Sequence, residues 1–287
     1  MNARELDIAA LKSAGIIPQK QKGLFVMRLH VVGGDLKAEQ LRRVAEVASR
    51  YGRGEVHLST RQGIEIHNVR YEDLQRAEQE LASAGIRMGA CGPRIRIVVA
   101  CPGSATCRWG LIDTKEIARD LDKLYFRRET PHKFKMSVTG CPNNCAKATE
   151  NDVGVMGGVL PLWQGQTCTR CDLCVHSCPT NAIVREGDDY SLKRDACILC
   201  GICIALCPTS SWTAARRGYT LFAGGSMGKQ PRLGTRVRDL IGGKEELYAL
   251  IERAVRYYRD HGKPRERFGH MMDRLGADTV GKEILRE

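Results

Sequence analysis

No stretch of this 287-residue chain approaches the roughly 18 consecutive apolar residues that a membrane-spanning helix requires, so no membrane partner is expected. The N-terminal segment MNARELDIAALKSAGIIPQKQ is charged throughout and has no continuous apolar core, so no secretory signal is expected and the chain reads as cytoplasmic. Aromatic residues make up only 6% of the chain, and no basic run is interleaved with them. The pattern with which proteins stack on and neutralise nucleic acid is missing, so no nucleic-acid partner is expected. Acidic residues are the scarcer charge: 33 Asp and Glu against 45 Lys and Arg leave a net charge of +12, which asks for an anionic partner without saying which. A hydrophobic content of 43% with 27% charged residues excludes a disordered chain, and the length is ample for a core.

Cysteine, by contrast, is abundant, with 13 residues. In a chain read as cytoplasmic these are not a disulfide framework, and reduced thiols point to metal or redox chemistry. CTRCDLCVHSCP (168–179) and CILCGICIALCP (197–208) both fit C-x2-C-x2-C-x3-C-P. That is the spacing of bacterial two-cluster ferredoxins, in which three thiolates wrap one cubane and the fourth reaches the other. The expected ligand sets are Cys168, Cys171, Cys174 with Cys207, and Cys197, Cys200, Cys203 with Cys178. Thiolate tetrads also hold zinc, but two complete repeats, each ending in Cys-Pro, favour clusters that carry electrons. A second group, Cys101, Cys107, Cys141 and Cys145, forms C-x5-C and C-x3-C and can hold a third [4Fe–4S] cluster. Cys91 stands alone and reads as a buried, unliganded thiol.

Apolar periodicity predicts strands at 24–31, 55–58, 63–69 and 94–100. Helices are predicted at 37–51, where Leu41, Val44, Val47 and Ala48 recur at helical spacing, and at 71–84, with Leu74, Ala77 and Leu81 on one face. The order β-α-β-β-α-β is that of a split βαβ, ferredoxin-like sheet. Further on, a helix is expected at 112–127, a strand at 133–138 running into Cys141, a strand and glycine-rich loop over 218–234, a helix at 247–258 and a basic segment beyond it.

ACPGSATC and TGCPNNC resemble the paired cluster motifs of the siroheme-containing sulfite and nitrite reductases. STRQGIEIH (59–67), PHKFK (131–135), DVGVMGG (152–158) and GYTLFAGG with PRLG resemble further blocks of that family, so the resemblance runs over nearly the whole chain. A two-cluster ferredoxin module inserted after the last tetrad cysteine is similar to small anaerobic sulfite reductase subunits of assimilatory or dissimilatory-like type. The implied architecture is α+β: a ferredoxin-like half-domain over 1–90, a siroheme and [4Fe–4S] domain over 91–162 and 211–287, and the inserted 2[4Fe–4S] ferredoxin domain over 163–210.

The resemblance implies a siroheme and three [4Fe–4S] clusters, with Cys145 bridging one cluster to the siroheme. Electrons would enter at the ferredoxin clusters and serve the six-electron reduction of sulfite to sulfide. Such chemistry needs cations around a small oxyanion and proton donors beside it. By motif match the anion-binding cations are Arg28, Arg96, Lys133 and Lys135. Alternation supports the lysines independently, because residues two apart on a strand share a face and Phe134 would point the other way. At Arg96 the following residue is Ile97 where relatives carry Asn, and Arg94 competes for the same face. The many siroheme carboxylates call for basic and backbone contacts, expected from Arg61, Gln62, Gly224, Gly225 and Arg232, with Arg216, Arg217 and Lys229 as further candidates. His30 and His57 are read as strand residues or pocket neighbours. On this reading the +12 offsets cofactor, cluster and substrate charge.

Larger relatives carry two copies of this unit and this chain has room for one. A homodimer, or pairing with a homologous subunit, is therefore expected, with cations of one chain completing the site of the other. The electron donor would be a ferredoxin or a flavin/NADH subunit. Nitrite reduction at the same centre, and a siroheme-free electron-transfer subunit, are the alternatives. The paired motifs with KFK argue against the second, because a carrier needs neither.

Overall fold

The computed structural model describes residues 7–286. After a short helix α1 (Ile8–Ser13), the first layer comprises β1 (Ile16–Pro18), β2 (Leu24–Arg28), α2 (Ala38–Tyr51), β3 (Val56–Leu58), β4 (Ile64–Arg70) and α3 (Leu74–Ser83). Its strands form an antiparallel four-stranded sheet in the order β1-β2-β4-β3. Helices α2 and α3 bury Val44, Val47 and Ala48, and Leu74, Ala77 and Leu81, against Phe25, Met27 and Ile66. Each of these side chains larger than alanine contributes about 1.5–3 kcal/mol by leaving water. Leu41, expected on the buried stripe of α2, is 53% exposed.

The second layer is built on a five-stranded sheet, β11-β10-β7-β6-β5. Its elements are β5 (Val99–Ala100), α4 (Thr114–Tyr125), β6 (Met136–Thr139), β7 (Val153–Trp163), β10 (Trp212–Ala223), β11 (Thr235–Ile241), α7 (Lys244–His261), α8 (Phe268–Leu275) and α9 (Ala277–Leu285). Strands β5, β6 and β7 run parallel, and β10 and β11 close the sheet antiparallel. The core beneath joins Ile117 and Leu121 of α4, Leu250 and Ile251 of α7, and Phe268 and Met272 of α8. The basic segment KPRERFGHMMDRLG (263–276) thus includes α8, and α9 follows it.

Between β7 and β10 lies a small unit of α5 (Leu173–His176), the hairpin β8 (Ile183–Glu186) and β9 (Asp189–Leu192), and α6 (Ile202–Leu206). Trp163 and Trp212 pair directly across the sheet, and Gln164 N donates to Ser211 O at 2.7 Å, so the segment leaves and returns at one point.

One expectation is corrected. Only Val99–Ala100 of the expected 94–100 strand is regular, and it joins β6 in the second sheet. Residues Ile95 and Arg96 bond instead to the carbonyls of Arg128 and Phe134, which draws Ile95 and Val98 into the second core. The vacant edge beside β2 is taken by β1, and Met88 adds a single antiparallel bridge to Leu29.

Candidate active site

Arg28, Arg61, Arg96, Lys133 and Lys135 line one cavity of about 330 Å³, together with Ser59, Thr60 and Glu65. The cavity lies where the first sheet meets the starts of the parallel strands. Lys133 and Lys135 flank Phe134, which is fully buried on the opposite side against Tyr258 and Phe268, with ring centroids 5.5 Å from each. Strand alternation therefore holds, although β6 begins only at Met136 and residue 134 is paired through one parallel bridge to Ile95.

Burial, reinforced by Arg61, Arg267 and Lys133, pulls the Lys135 ammonium down to about 8. Burial also lowers the Arg61 guanidinium to about 10, against the attraction of Asp152. Arg61 donates to Asn151 Oδ1 at 2.7 Å and to the Ile97 carbonyl at 2.9 Å, pinning the STRQ turn to the second layer. Gln62 is outside the cavity lining: its amide pairs with the backbone of Ala100 at 2.8 and 3.0 Å. Arg28 is tied to Glu65 and Cys91, and Arg96 donates to the carbonyls of Ala90 and Gly92. Burial depresses the Arg96 guanidinium, and the neighbouring Cys91 opposes this.

The tetrad Cys101, Cys107, Cys141 and Cys145 is brought together on two loops that follow β5 and β6. Burial pushes the Cys141 thiol up and the three partner thiols add to it, while the Asn143 amide opposes. Gly110 packs onto the Gly103 backbone with no room for a Cβ, and Gly140 lies tightly against both, which lets the loops meet. Gly140 N donates to Cys101 Sγ at 3.0 Å. Cys141 is buried and Cys145 exposed, so one thiol of this group is presented outward.

Three of the cations, Arg96, Lys133 and Lys135, sit at the opposite ends of β5 and β6 from the tetrad. Arg96 precedes β5 and Cys101 follows it; Lys133 and Lys135 precede β6 and Cys141 follows it; and the two strands are parallel. At about 3.3 Å per residue the extended chain from Lys135 to Cys141 covers up to about 20 Å.

In the inserted unit, Cys168, Cys171, Cys174 and Cys207 line one hollow with Tyr190 and Trp212. Burial raises Cys200, with Cys197 and Cys178 as its neighbouring thiols, and pushes Cys203 up to about 12, with Cys200 and Cys197 adding to it. Cys178 and Cys207 are the exceptions. Burial raises them, but amides two to five residues on, and the hydroxyls of Thr180 and Thr209, outweigh it and leave both thiols lowered. Ala182 N and Ser211 N reach their sulfurs at 3.1 and 3.2 Å.

These groups fit iron–sulfur clusters. Hydrogen-bond donors to sulfur tune a cluster, and on the wall of the first hollow the buried Trp212 indole N–H faces Cys174, whose thiol it draws down against burial. Among the described residues no three Cys, His, Asp or Glu side chains converge closely enough to ligate a single ion, whereas a cubane takes its thiolates at separate corners.

Other expected residues lie elsewhere. Gly224 and Gly225 are packed against Met272 and the carbonyls of Thr149 and Asn151, and Arg232 is held by Asp273 at 2.9 Å and the Gly224 carbonyl at 3.0 Å. Arg216, Arg217, Lys229 and His57 are exposed. His30 is absent from the cavity lining and pairs with Asp122 at 2.8 Å. Sequence reasoning missed Glu65 as part of the cavity. Its place opposite Arg28 depends on strand register, which one sequence does not reveal.

Two family models match the chain: the nitrite and sulphite reductase 4Fe-4S domain over residues 91–287, and the nitrite/sulfite reductase ferredoxin-like half domain over 17–84. A coenzyme F420-dependent sulfite reductase of Methanocaldococcus jannaschii is 31% identical over 94% of this chain and 44% of its own length. One of the subunits of the anaerobic sulfite reductase of Salmonella typhimurium is 30% identical over 57% of this chain and 52% of its own. The chain thus spans about half the length of these two relatives. The crystal structure of a dissimilatory sulfite reductase superposes with a TM-score of 0.77 at 21% identity, over 92% of this chain and 69% of that one, a likeness of fold. No helix among the described residues is long and apolar enough to cross a membrane.

Proposed function

The chain belongs to the nitrite and sulfite reductase family, and on that premise we propose that it is a siroheme- and iron–sulfur-dependent reductase carrying out the six-electron reduction of sulfite to sulfide. One observation carries the reading: Arg28, Arg61, Arg96, Lys133 and Lys135 converge on a single cavity. Fixed positive charges in a hollow sparing of water stabilise an oxyanion and its charge-loaded reduced forms. Lys135, drawn down to about 8, exchanges protons near neutral pH and suits protonation of a departing oxygen.

Siroheme, when bound, supplies the iron centre through which electrons reach the substrate. Cys145, the outward thiol, would join it to the cluster of Cys101, Cys107 and Cys141. Arg61 is its best-placed basic contact, Gln62 holds the turn beside it, and Gly224 and Gly225 shape the neighbouring loop. A role for Arg232 requires it to exchange Asp273 for a cofactor carboxylate. The eight cysteines of residues 168–207 serve electron delivery as two [4Fe–4S] sites in an inserted ferredoxin domain, fed by a ferredoxin or a flavin subunit.

Because three of one chain's cations lie at the opposite ends of β5 and β6 from its tetrad, the site is completed by a second copy or a homologous subunit. Nitrite is the second reading, favoured by 34% identity over 169 residues to the ferredoxin–nitrite reductase of Zea mays.

An absorption spectrum of anaerobically purified protein, followed by reductase assays with sulfite and nitrite, tests the proposal. A tetrapyrrole Soret band and a higher kcat/KM for sulfite are expected. Iron–sulfur absorbance with no Soret band overturns the reading, and a higher kcat/KM for nitrite favours the second.

A further inference from the structure

Among the residues lining the cation cavity, Glu65 is the one carboxylate. A negative charge there opposes anion binding by Coulomb repulsion, so its presence asks for a physical reason. Glu65 is 8% exposed and sits on β4, directly opposite Arg28 on β2 and His57 on β3. Side chains so opposed on a pleated sheet are in reach of one another. Arg28 Nε donates to Glu65 Oε1 at 2.7 Å, and Nη2 lies 2.7 Å from the same oxygen. The remaining nitrogen, Nη1, donates to Cys91 Sγ at 2.9 Å. All three guanidinium nitrogens are thereby fixed. The Arg28 side chain keeps 35% exposure and Glu65 only 11%, so the carboxylate lies behind the guanidinium. Burial raises the Glu65 carboxyl, but Arg28 and then His67 outweigh it and hold it below its ordinary value.

A long, flexible arginine loses rotamer freedom when it binds a ligand, and a partner that fixes it beforehand removes that loss from the binding step. We propose that Glu65 is a positioning residue for the anion site, clamping Arg28 from β4 in the orientation that meets the oxyanion. This rests on the reading that the cavity binds a small oxyanion. The two effects of Glu65 have opposite signs. Repulsion alone predicts that its removal tightens binding; clamping predicts that its removal weakens binding, and only while Arg28 is present.

The test is a double-mutant cycle on sulfite affinity, measured by calorimetry on anaerobic, cofactor-loaded protein: wild type, Glu65→Gln, Arg28→Ala and the double variant. Glu65→Gln keeps the shape and one carbonyl acceptor. The expected result is weakening of about tenfold in the wild-type background and under about twofold in the Arg28→Ala background. Equal losses in both backgrounds, or tighter binding by Glu65→Gln, overturn the positioning role. Should Glu65→Gln not purify, Glu65→Asp, which draws the charge back by one methylene, is expected to show the same non-additivity. Protein that gives the expected cycle yet reduces neither sulfite nor nitrite overturns the proposed function alone. Wild type that binds neither anion overturns both.

Discussion

Arg267 grips Asp152 with two nitrogens, Nη2 on Oδ2 at 2.7 Å and Nε on Oδ1 at 3.3 Å, and both residues are buried. The same carboxylate accepts the Lys135 amide at 2.8 Å, and the Asp152 carbonyl accepts the Gly224 amide at 2.7 Å. One buried pair therefore ties the C-terminal helices to the start of β7, the lysine segment and the glycine-rich loop. Removing one partner leaves an uncompensated buried charge, so Arg267→Ala is expected to destabilise the fold by about 3–5 kcal/mol. Urea denaturation measures this, and an unchanged midpoint would refute the role given to the pair.

Lys135 predicts a pH dependence. Its ordinary value of 10.5 falls to about 8 in the fold, through burial first and then Arg61, Arg267 and Lys133. Below pH 8 it is protonated in both folded and unfolded chains. Between about 8 and 10.5 the unfolded chain holds the proton that the folded one has released, so this group makes stability rise with pH across that window. Activity goes the other way. A proton donor is spent as it deprotonates, so kcat/KM for sulfite should fall about tenfold per pH unit above about 8. The profile of Lys135→Arg should have this limb moved upward, whereas an identical limb in that variant would assign the titration to another group.

The crossed ligand sets expected of residues 168–207 are open to a spectroscopic test. Cys168, Cys171, Cys174 and Cys207 share one hollow. Cys207→Ala should therefore erase the same paramagnetic signal as Cys168→Ala and cost about four irons of a total near 12 per chain. Cys178→Ala should instead match Cys200→Ala. If Cys207→Ala and Cys200→Ala erase one common signal, the ligand sets do not cross.

What the sequence disclosed was what depends on near neighbours. The thiol spacings and the Lys133–Phe134–Lys135 alternation are local: Cys168, Cys171, Cys174 and Cys207 line one hollow, and the two lysines line the cavity while Phe134 is buried. Segment 94–100 departs from the expected strand because its β-rich composition says nothing of which sheet it joins. That is decided by bonds from Ile95 and Arg96 to residues 128 and 134. Glu65 reads as an ordinary polar residue in an alternating strand until register sets it across from Arg28. Asp152 acquires meaning only from an arginine 115 residues later. Arg232, assigned to a cofactor carboxylate by its motif, already has a carboxylate partner in Asp273.

The separation of cations from tetrad leads to the sharpest prediction about assembly. If each site takes its lysines from one copy and its cluster thiols from the other, then Lys135→Met and Cys145→Ser injure different halves of it. Each homodimer of a single variant is inactive at both sites. In a mixed dimer, one site unites the defective lysine of one chain with the defective thiol of its partner. The other site unites the intact lysine of the Cys145→Ser chain with the intact Cys145 of the Lys135→Met chain. Random reassembly of equal amounts makes about half the dimers mixed, each with one working site, so about a quarter of wild-type activity should return. Co-expression with two affinity tags isolates the mixed species, which should reach about half. Mixed dimers with no activity would mean that each chain builds its site alone, and that the ends of β5 and β6 must be bridged within one subunit.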